Sequence, residues 1–272
     1  MEARALVRER VEAPIQLSAG SKPISARVDR LGAYPAVDAA VAKALRARAG
    51  QAVRISAAVV PETLDAYVSA LDRRLSHPAR DARLVGLDAR LRPIVAHEVA
   101  GMRLDRKATR AAIAAQLARA DREAVRLLFR PLRPKLTFRD FGPVVVIHRG
   151  SNTASVFERG RLLRVLGVAT GQARYPTPLG TFSVADKQYN PWWYPPDSDW
   201  AQGQQPIPPG PGNPLGTRWM GLSAWGVGMH GTPDAASIGY SASHGCIRMH
   251  IPDAEWLFQR VRIGTPVVIV SA

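Results

Sequence analysis

The chemistry that this sequence can perform centres on one cysteine. Cys246 is the only cysteine in 272 residues, and it lies in the run Ser243-His244-Gly245-Cys246-Ile247-Arg248-Met249. A thiol that attacks a carbonyl needs a base to take its proton and hydrogen-bond donors for the oxyanion that forms. Two histidines could be that base, because His244 lies two residues before the cysteine and His230 lies sixteen before it. These residue types favour attack on acyl groups, but their spacing does not choose the base.

The glycine before the cysteine bears on access and reactivity. Gly245 leaves no side chain beside the sulfur, and its backbone freedom lets neighbouring amides point at one oxygen. Three interpretations stay open from the residues alone. Cys246 is an inert buried thiol, or it binds zinc together with His230 and His244, or it is the nucleophile of an acyltransferase or hydrolase. The inert thiol leaves the glycine and both histidines unexplained, and a perturbed thiol beside histidine usually indicates catalysis, so the third interpretation is favoured.

The first half of the chain predicts a small mixed α/β domain. Its best helix has apolar residues at spacings of three and four, namely Leu64, Tyr67, Val68, Leu71 and Leu75, which is typical of a core-facing stripe. Helices are expected at 38–48, 62–75 and 105–119, the last one capped by Asp105. Strands are expected at 53–56, 82–85, 92–95 and 124–129. His77 and His97 lie apart from other reactive side chains and are given no role.

The second half predicts mostly β-strands. The stretch with Pro131, Pro134 and Lys135 is typical of a linker, so we expect domains at 1–136 and 137–272. After it, strands are expected at 144–147, 154–157, 162–168, 177–184 and 266–270, with a short helix at 253–259. The predicted fold class is therefore α+β, with a mixed α/β domain followed by a mostly-β domain.

A long segment without periodicity interrupts the second half at residues 190–216. It contains Trp192, Trp193, Tyr194 and Trp200, with Pro195 and Pro196. Exposed aromatic residues in long irregular loops are often binding surfaces. We expect this loop to be a lid or a glycan-binding platform over the cysteine, and the alternative is a rim that packs on the sheet.

Charge is distributed unevenly along the chain. The net charge is +15, of which residues 1–136 carry +12 and the remainder +3. A basic face attracts any polyanion, whether a cell-wall polymer, nucleic acid or anionic lipid, and the alternative is a solvated arginine-rich surface. No apolar run of about 18 residues appears, and Met1-Glu2-Ala3-Arg4 does not open a signal peptide. An export or anchor segment is therefore expected to lie outside this sequence. Contact with a membrane is expected only through that segment.

Three runs together resemble a known family. They are Met229-His230-Gly231-Thr232, Ile238-Gly239 and Ser243-His244-Gly245-Cys246-Ile247-Arg248-Met249, and they follow the order of the L,D-transpeptidase catalytic domain of the YkuD type. Upstream, the run from Tyr175 to Phe182 is similar to that family's threonine-proline-glycine turn. The likeness covers about residues 138–272. It implies a β-sandwich enzyme of cell-wall biogenesis and cell shape that cross-links peptidoglycan stem peptides and is a carbapenem target.

The resemblance implies a role for each matched residue. Cys246 would attack the carbonyl before a terminal D-alanine and pass the acyl group to an amine, with carboxypeptidase action as a side activity. His230 would be the base, oriented by the carbonyl of Gly231, and His244 would lie beside the thiolate. The amides of Gly245 and Cys246 would bind the oxyanion, next to Ser243. Arg248 and Tyr240 are expected to bind substrate. Trp192, Trp193 and Tyr194 are expected to do so as well, but they belong to the long loop, in which this sequence departs from the family. For Arg248 the alternative is a structural ion pair.

The first domain carries a weaker likeness. Residues 79–117, around Gly101-Met102-Arg103-Leu104-Asp105, resemble a peptidoglycan-binding domain that precedes some of these catalytic domains. The expected partners are peptidoglycan and, through the basic domain, anionic wall polymers, with nucleic acid less favoured. No cofactor or metal is expected, and the expected location is the cell wall or periplasm. A zinc-dependent or inactive binding protein and a sortase-like transpeptidase remain as alternatives.

Overall fold

The computed structural model describes residues 12–48, 50–51, 53, 57–119 and 123–272. They form two compact units. The N-terminal unit comprises the described residues up to Arg80 together with Val99–Lys135, and the C-terminal unit comprises Asp81–Glu98 and Leu136–Ala272. The predicted boundary after residue 136 lies next to the observed one, but Asp81–Glu98 belongs to the C-terminal unit and not to the first domain. The segment 79–117, with its likeness to a peptidoglycan-binding domain, is therefore divided between the two units.

The elements before residue 136 alternate between strands and helices. They are β1 (Ile15–Ala19), β2 (Lys22–Ala26), β3 (Ala33–Pro35), α1 (Val37–Arg46), β4 (Ala57–Val59), α2 (Pro61–Leu75), β5 (Arg83–Leu87), β6 (Pro93–Ala96), β7 (Gly101–Leu104), α3 (Arg106–Leu117), β8 (Val125–Arg126) and β9 (Phe129–Leu132). Of the strand predicted at 53–56, residues 54–56 lie outside the described residues. The strand predicted at 124–129 is two strands, β8 and β9. Pro131, expected in a linker, lies in β9. Among the described residues this strand pairs only with β7, so its free edge tolerates a proline.

Two of the three predicted helices of this half, α2 and α3, bury an apolar face, whereas α1 leaves Val41 and Leu45 exposed. Leu64, Val68 and Leu71 of α2 pack in the core of the N-terminal unit with Ile113 and Leu117 of α3. Asp105 caps α3, since its carboxylate accepts a hydrogen bond of 3.0 Å from the Ala108 amide.

The C-terminal unit is built around one sheet that closes on itself. Its elements are β10 (Val144–His148), β11 (Thr153–Glu158), β12 (Arg161–Gly171), β13 (Gly180–Tyr189), β14 (Arg218–Leu222), β15 (Gly228–Thr232), β16 (Ser241–Ser243), β17 (Ile247–His250), α4 (Ile251–Arg260) and β18 (Pro266–Val270). The strand order is β11-β10-β18-β13-β14-β15-β17-β12-β16, and β11 pairs with β12 as well as with β10. The α+β class is confirmed, and the expected sandwich is a single sheet that closes through the β11–β12 pair.

The core of this unit lies inside the closed sheet. Met220, Met229, Ile247 and Met249 are fully buried there and pack with Leu257 of α4. A second apolar cluster lies between the hairpin β5–β6 and strands β10, β11 and β18. This cluster explains why a hairpin from the first half of the sequence belongs to the C-terminal unit.

Candidate active site

Three neighbouring strands place the candidate catalytic side chains on one face of the sheet. In register, Trp219 of β14 lies opposite His230 of β15, and His230 lies opposite Arg248 of β17. Side chains alternate along a strand, so these three residues point away from the core that Met220, Met229, Ile247 and Met249 fill. Cys246 immediately precedes β17. The fold therefore returns His230, sixteen residues away in sequence, to the side of the sheet where the cysteine lies.

One cavity of about 940 Å³ collects most of the predicted site residues. Its lining includes Ser243, His244, Gly245, Cys246, Arg248, His230, Trp192, Trp193 and Tyr194. Two predicted residues do not line it. Gly231 is buried behind His230, and Tyr240 is an exposed residue of the turn before β16.

His230 is a buried neutral imidazole. Its Nδ1 lies 2.7 Å from the carbonyl oxygen of Gly231. A carbonyl can only accept, so Nδ1 carries the proton and Nε2 keeps its lone pair. Burial lowers the pKa of His230 to about 4; the Gly231 bond raises it and the positive charge of Arg248 lowers it. Near neutral pH the ring is therefore ready to accept a proton at Nε2.

Cys246 is a partly exposed thiol that is protonated at rest. Its Sγ lies 3.7 Å from the carbonyl oxygen of Gly226. Burial raises the pKa of this thiol, while a hydrogen bond from the Gly228 backbone and the charge of Arg248 lower it. A thiol with a raised pKa beside a neutral imidazole is not a preformed ion pair. The arrangement fits general-base catalysis, in which the proton leaves sulfur as sulfur attacks.

The backbone around the cysteine is held by Ser243. Its hydroxyl accepts from the Gly245 amide at 3.2 Å and donates to the Cys246 carbonyl oxygen at 2.6 Å. The Gly245 amide, expected to bind an oxyanion, is thus occupied by Ser243. The hydrogen bonds found among the described residues include none from the Cys246 N–H. Of the two expected oxyanion donors, the Cys246 amide is the one that remains available.

The second histidine has a different setting. His244 is an exposed residue whose ring stacks on Trp200, with centroids 4.1 Å apart and planes at 14°, and lies 5.1 Å from the ring of Tyr175. Burial and the charge of Arg248 lower its pKa. Because its ring is engaged with aromatic residues while His230 is buried and oriented by a carbonyl, the geometry favours His230 as the base.

The loop at 190–216 forms part of the cavity wall. The buried side chain of Asn213 donates to the carbonyl oxygens of Pro191, Ile207 and Pro208 and so ties both ends of the loop together. Trp200 of this loop reaches His244, and Trp193 of the same loop is buried with its ring 6.4 Å from that of Trp200. Trp192 and Tyr194 are exposed and stack on each other with centroids 6.2 Å apart.

Arg248 faces the cavity and also meets a carboxylate. Its Nη1 lies 3.7 Å from Oδ2 of Asp234, and its side chain is 23% exposed. Both the substrate-binding role and the ion-pair alternative therefore have a structural counterpart. The carboxylate is the more exposed partner, so a substrate anion can compete with it.

Sequence reasoning missed two aromatic residues in the cavity wall. The Trp219 ring stacks on His230 with centroids 5.9 Å apart, and it fills the space that a Cβ on Gly228 would need. Trp225 is 92% exposed at the rim, next to Gly226. Their types gave a signal, but only the pairing of β14 with β15 shows that Trp219 faces His230.

The zinc alternative finds no ligand set in the part of the chain that the structure describes. There, no three His, Cys, Asp or Glu side chains are grouped so that they could hold a metal ion.

Among the residues that the structure describes, no helix is both long enough and apolar enough to cross a membrane.

Comparison with known proteins identifies the family of the C-terminal half of the chain. Residues 142–269 match the L,D-transpeptidase catalytic domain (YkuD). YqjB of Bacillus subtilis, an L,D-transpeptidase by name, is 36% identical over 134 residues, which cover 47% of this chain and 72% of that protein. YkuD of Bacillus licheniformis, also so named, is 33% identical over 125 residues, covering 46% of this chain and 64% of that one.

A solved L,D-transpeptidase from Mycobacterium smegmatis aligns with a TM-score of 0.42 at 20% identity, over 53% of this chain and 63% of that chain. The family match at residues 142–269 and the identity to YqjB confirm the resemblance for the catalytic domain. This chain belongs to the L,D-transpeptidase family.

Proposed function

We propose that the chain is a cysteine-dependent acyltransferase that cross-links peptidoglycan stem peptides. The observation that carries the proposal is the placement of Cys246 and a buried, carbonyl-oriented His230 in one cavity. A thiol, a neutral imidazole and a backbone N–H are the three groups that attack on a peptide carbonyl requires.

The reaction would proceed in two acyl transfers. In the first, Sγ of Cys246 bonds to the donor carbonyl carbon while Nε2 of His230 takes the thiol proton, and the oxyanion accepts from the Cys246 N–H. Collapse breaks the bond to the terminal D-amino acid, whose nitrogen takes the proton from His230, and leaves a thioester. In the second, an acceptor amine attacks the thioester carbonyl and His230 takes the amine proton. The bond from carbon to Sγ of Cys246 then breaks, and the sulfur receives that proton from His230. Water in place of the amine would give carboxypeptidase action.

The cavity fits a peptide substrate with a free carboxylate. Its volume of about 940 Å³ lies at the upper end of the range for small-ligand sites. Arg248 supplies a positive charge within it, and aromatic residues supply flat apolar walls. The basic residues of 1–136 would hold anionic wall polymers near the site. The place of action would be the cell wall or periplasm, where peptidoglycan lies.

The test is acylation of Cys246 by a carbapenem or a tetrapeptide donor, followed by mass spectrometry of the intact protein. The unmodified chain should gain the acyl mass and Cys246→Ala should not. An undiminished adduct on Cys246→Ala would contradict the proposal.

His230→Ala should slow acylation by about 10²–10⁴-fold, which is the usual contribution of a general base. His250→Ala is the matched control, because His250 is exposed and does not line the cavity. An unchanged rate in His230→Ala would transfer the role of base to His244. Zinc retained stoichiometrically through dialysis against a chelator would instead support the zinc alternative.

A further inference from the structure

Thr177 is a buried polar residue to which the mechanism above gives no role. Its side chain is fully buried, and its hydroxyl makes two hydrogen bonds. It accepts from the Gly171 amide at 2.8 Å and donates to the Gly245 carbonyl oxygen at 2.9 Å. Because an amide can only donate, the single hydroxyl proton must be the one that binds the Gly245 carbonyl.

The Thr177 hydroxyl has a fixed position. The backbone of residues 175–177 packs so closely on the end of β12 that a Cβ at Gly171 would lie 2.1 Å from the Tyr175 carbonyl oxygen and 2.5 Å from the Thr177 nitrogen. The Thr177 turn is thus seated against the closed sheet. A hydrogen bond from this hydroxyl holds its partner with little freedom.

The partner of Thr177 belongs to the peptide that carries the oxyanion donor. The carbonyl of Gly245 and the N–H of Cys246 share one planar trans peptide, so they point in opposite directions. With the carbonyl held by Thr177, the Cys246 N–H points away from Thr177. Gly245 has a φ of +112°, which a residue with a side chain rarely adopts, and this backbone shape allows the peptide to take that orientation.

We infer that Thr177 is a positioning residue, whose hydroxyl holds the Gly245–Cys246 peptide so that the Cys246 N–H faces the oxygen that becomes negative on the attacked carbonyl. Ser243 fixes the Gly245 amide and the Cys246 carbonyl, which lie on either side of this peptide. Thr177 holds the carbonyl of the peptide itself, that of Gly245. This inference rests on the proposed function, since it assumes that Cys246 attacks a carbonyl.

The test compares two reactions of the same sulfur. Acylation by a carbapenem forms an oxyanion, whereas alkylation by iodoacetamide displaces iodide from a saturated carbon and forms none. Thr177→Val keeps the shape of the side chain and removes both hydrogen bonds. Loss of one oxyanion donor typically costs about 10²–10³-fold in rate, so a misdirected donor should slow acylation by at least about 10-fold. The alkylation rate should stay within about twofold, and Thr177→Ser should restore acylation.

Three other results would overturn the inference, and one of them would overturn the proposed function as well. Acylation of Thr177→Val at the rate of the unmodified chain would overturn the inference alone. Equal slowing of acylation and alkylation would overturn it too, because it would show a general structural role. Failure of the unmodified chain to be acylated would overturn the proposed function, and the inference with it. Thermal unfolding checks that each variant folds, and Thr177→Ala, judged by the same ratio, replaces Thr177→Val if valine prevents folding.

Discussion

The buried imidazole of His230 should make the stability of the C-terminal unit depend on pH. Its pKa is about 4 in the folded protein and returns to about 6.5 in the unfolded chain. Between these values the unfolded state binds a proton that the folded state does not bind, so stability falls as pH falls from 6.5 to 4. From the two pKa values, the loss is about 3 kcal/mol in full and about 2.5 kcal/mol at pH 4.5.

The measurement is denaturant unfolding at pH 7.5 and pH 4.5, followed by tryptophan fluorescence. All six tryptophans lie between residues 192 and 256, so the signal reports on the C-terminal unit. The comparison is with His230→Asn, whose side-chain amide can still donate to the Gly231 carbonyl but does not titrate. The pKa values of Glu98 and His148 are also lowered. Their contributions to the change in unfolding free energy are the same in both proteins, so these contributions cancel when the two proteins are compared.

The unmodified protein should lose about 2.5 kcal/mol more than His230→Asn between the two pH values. The exposed residue His250 provides the control, because His250→Asn should lose as much as the unmodified protein. Equal losses in the unmodified protein and in His230→Asn would refute the lowered pKa of the buried imidazole.

Two further predictions concern the charges around the sulfur. The rate of Cys246 alkylation by iodoacetamide should still rise as pH passes the ordinary thiol pKa of 9.0, because burial raises the pKa of this thiol; a plateau already reached below pH 7 would show a thiolate–imidazolium pair instead. Arg248→Gln removes a charge that lowers the pKa of both His230 and Cys246, so the acidic limb of the acylation rate should move to higher pH. A limb that stays in place would show that Asp234 already neutralises Arg248.

Spacing of apolar residues and capping residues predicted helices whose formation depends on neighbouring residues in the sequence. The stripe that includes Leu64, Val68 and Leu71 predicted a helix that the structure buries on that face, and Asp105 predicted the start of α3. After residue 140, local patterns predicted β10, β11, β12, β13 and β18, but not β14, β15, β16 and β17, which carry or flank the candidate site. The hairpin β5–β6 falls within the predicted first domain but groups with the C-terminal unit, because its place depends on apolar contacts with β10, β11 and β18, far away in sequence.

The catalytic arrangement depended on information of a different kind. Cys246 and Gly245 were predicted from their types, but the choice of His230 over His244 came from a family resemblance, because the register of β14, β15 and β17 is not encoded in any short run. The same register explains the parts that were missed. Trp219 faces His230 only because two strands pair, and Thr177 reaches Gly245 only because its turn is seated on Gly171.

The structure also revises how this site would activate sulfur. A histidine near a cysteine suggests a thiolate stabilised by an imidazolium, but burial opposes both charges and holds thiol and imidazole neutral. The fold instead positions the reacting groups. Gly231 orients the His230 ring, the Gly228 backbone binds the Cys246 sulfur, and Thr177 orients the Cys246 amide. A site organised in this way develops its negative charge only when a carbonyl is present to receive it. It should therefore discriminate between an acyl donor and a simple alkylating agent more sharply than an ion pair would.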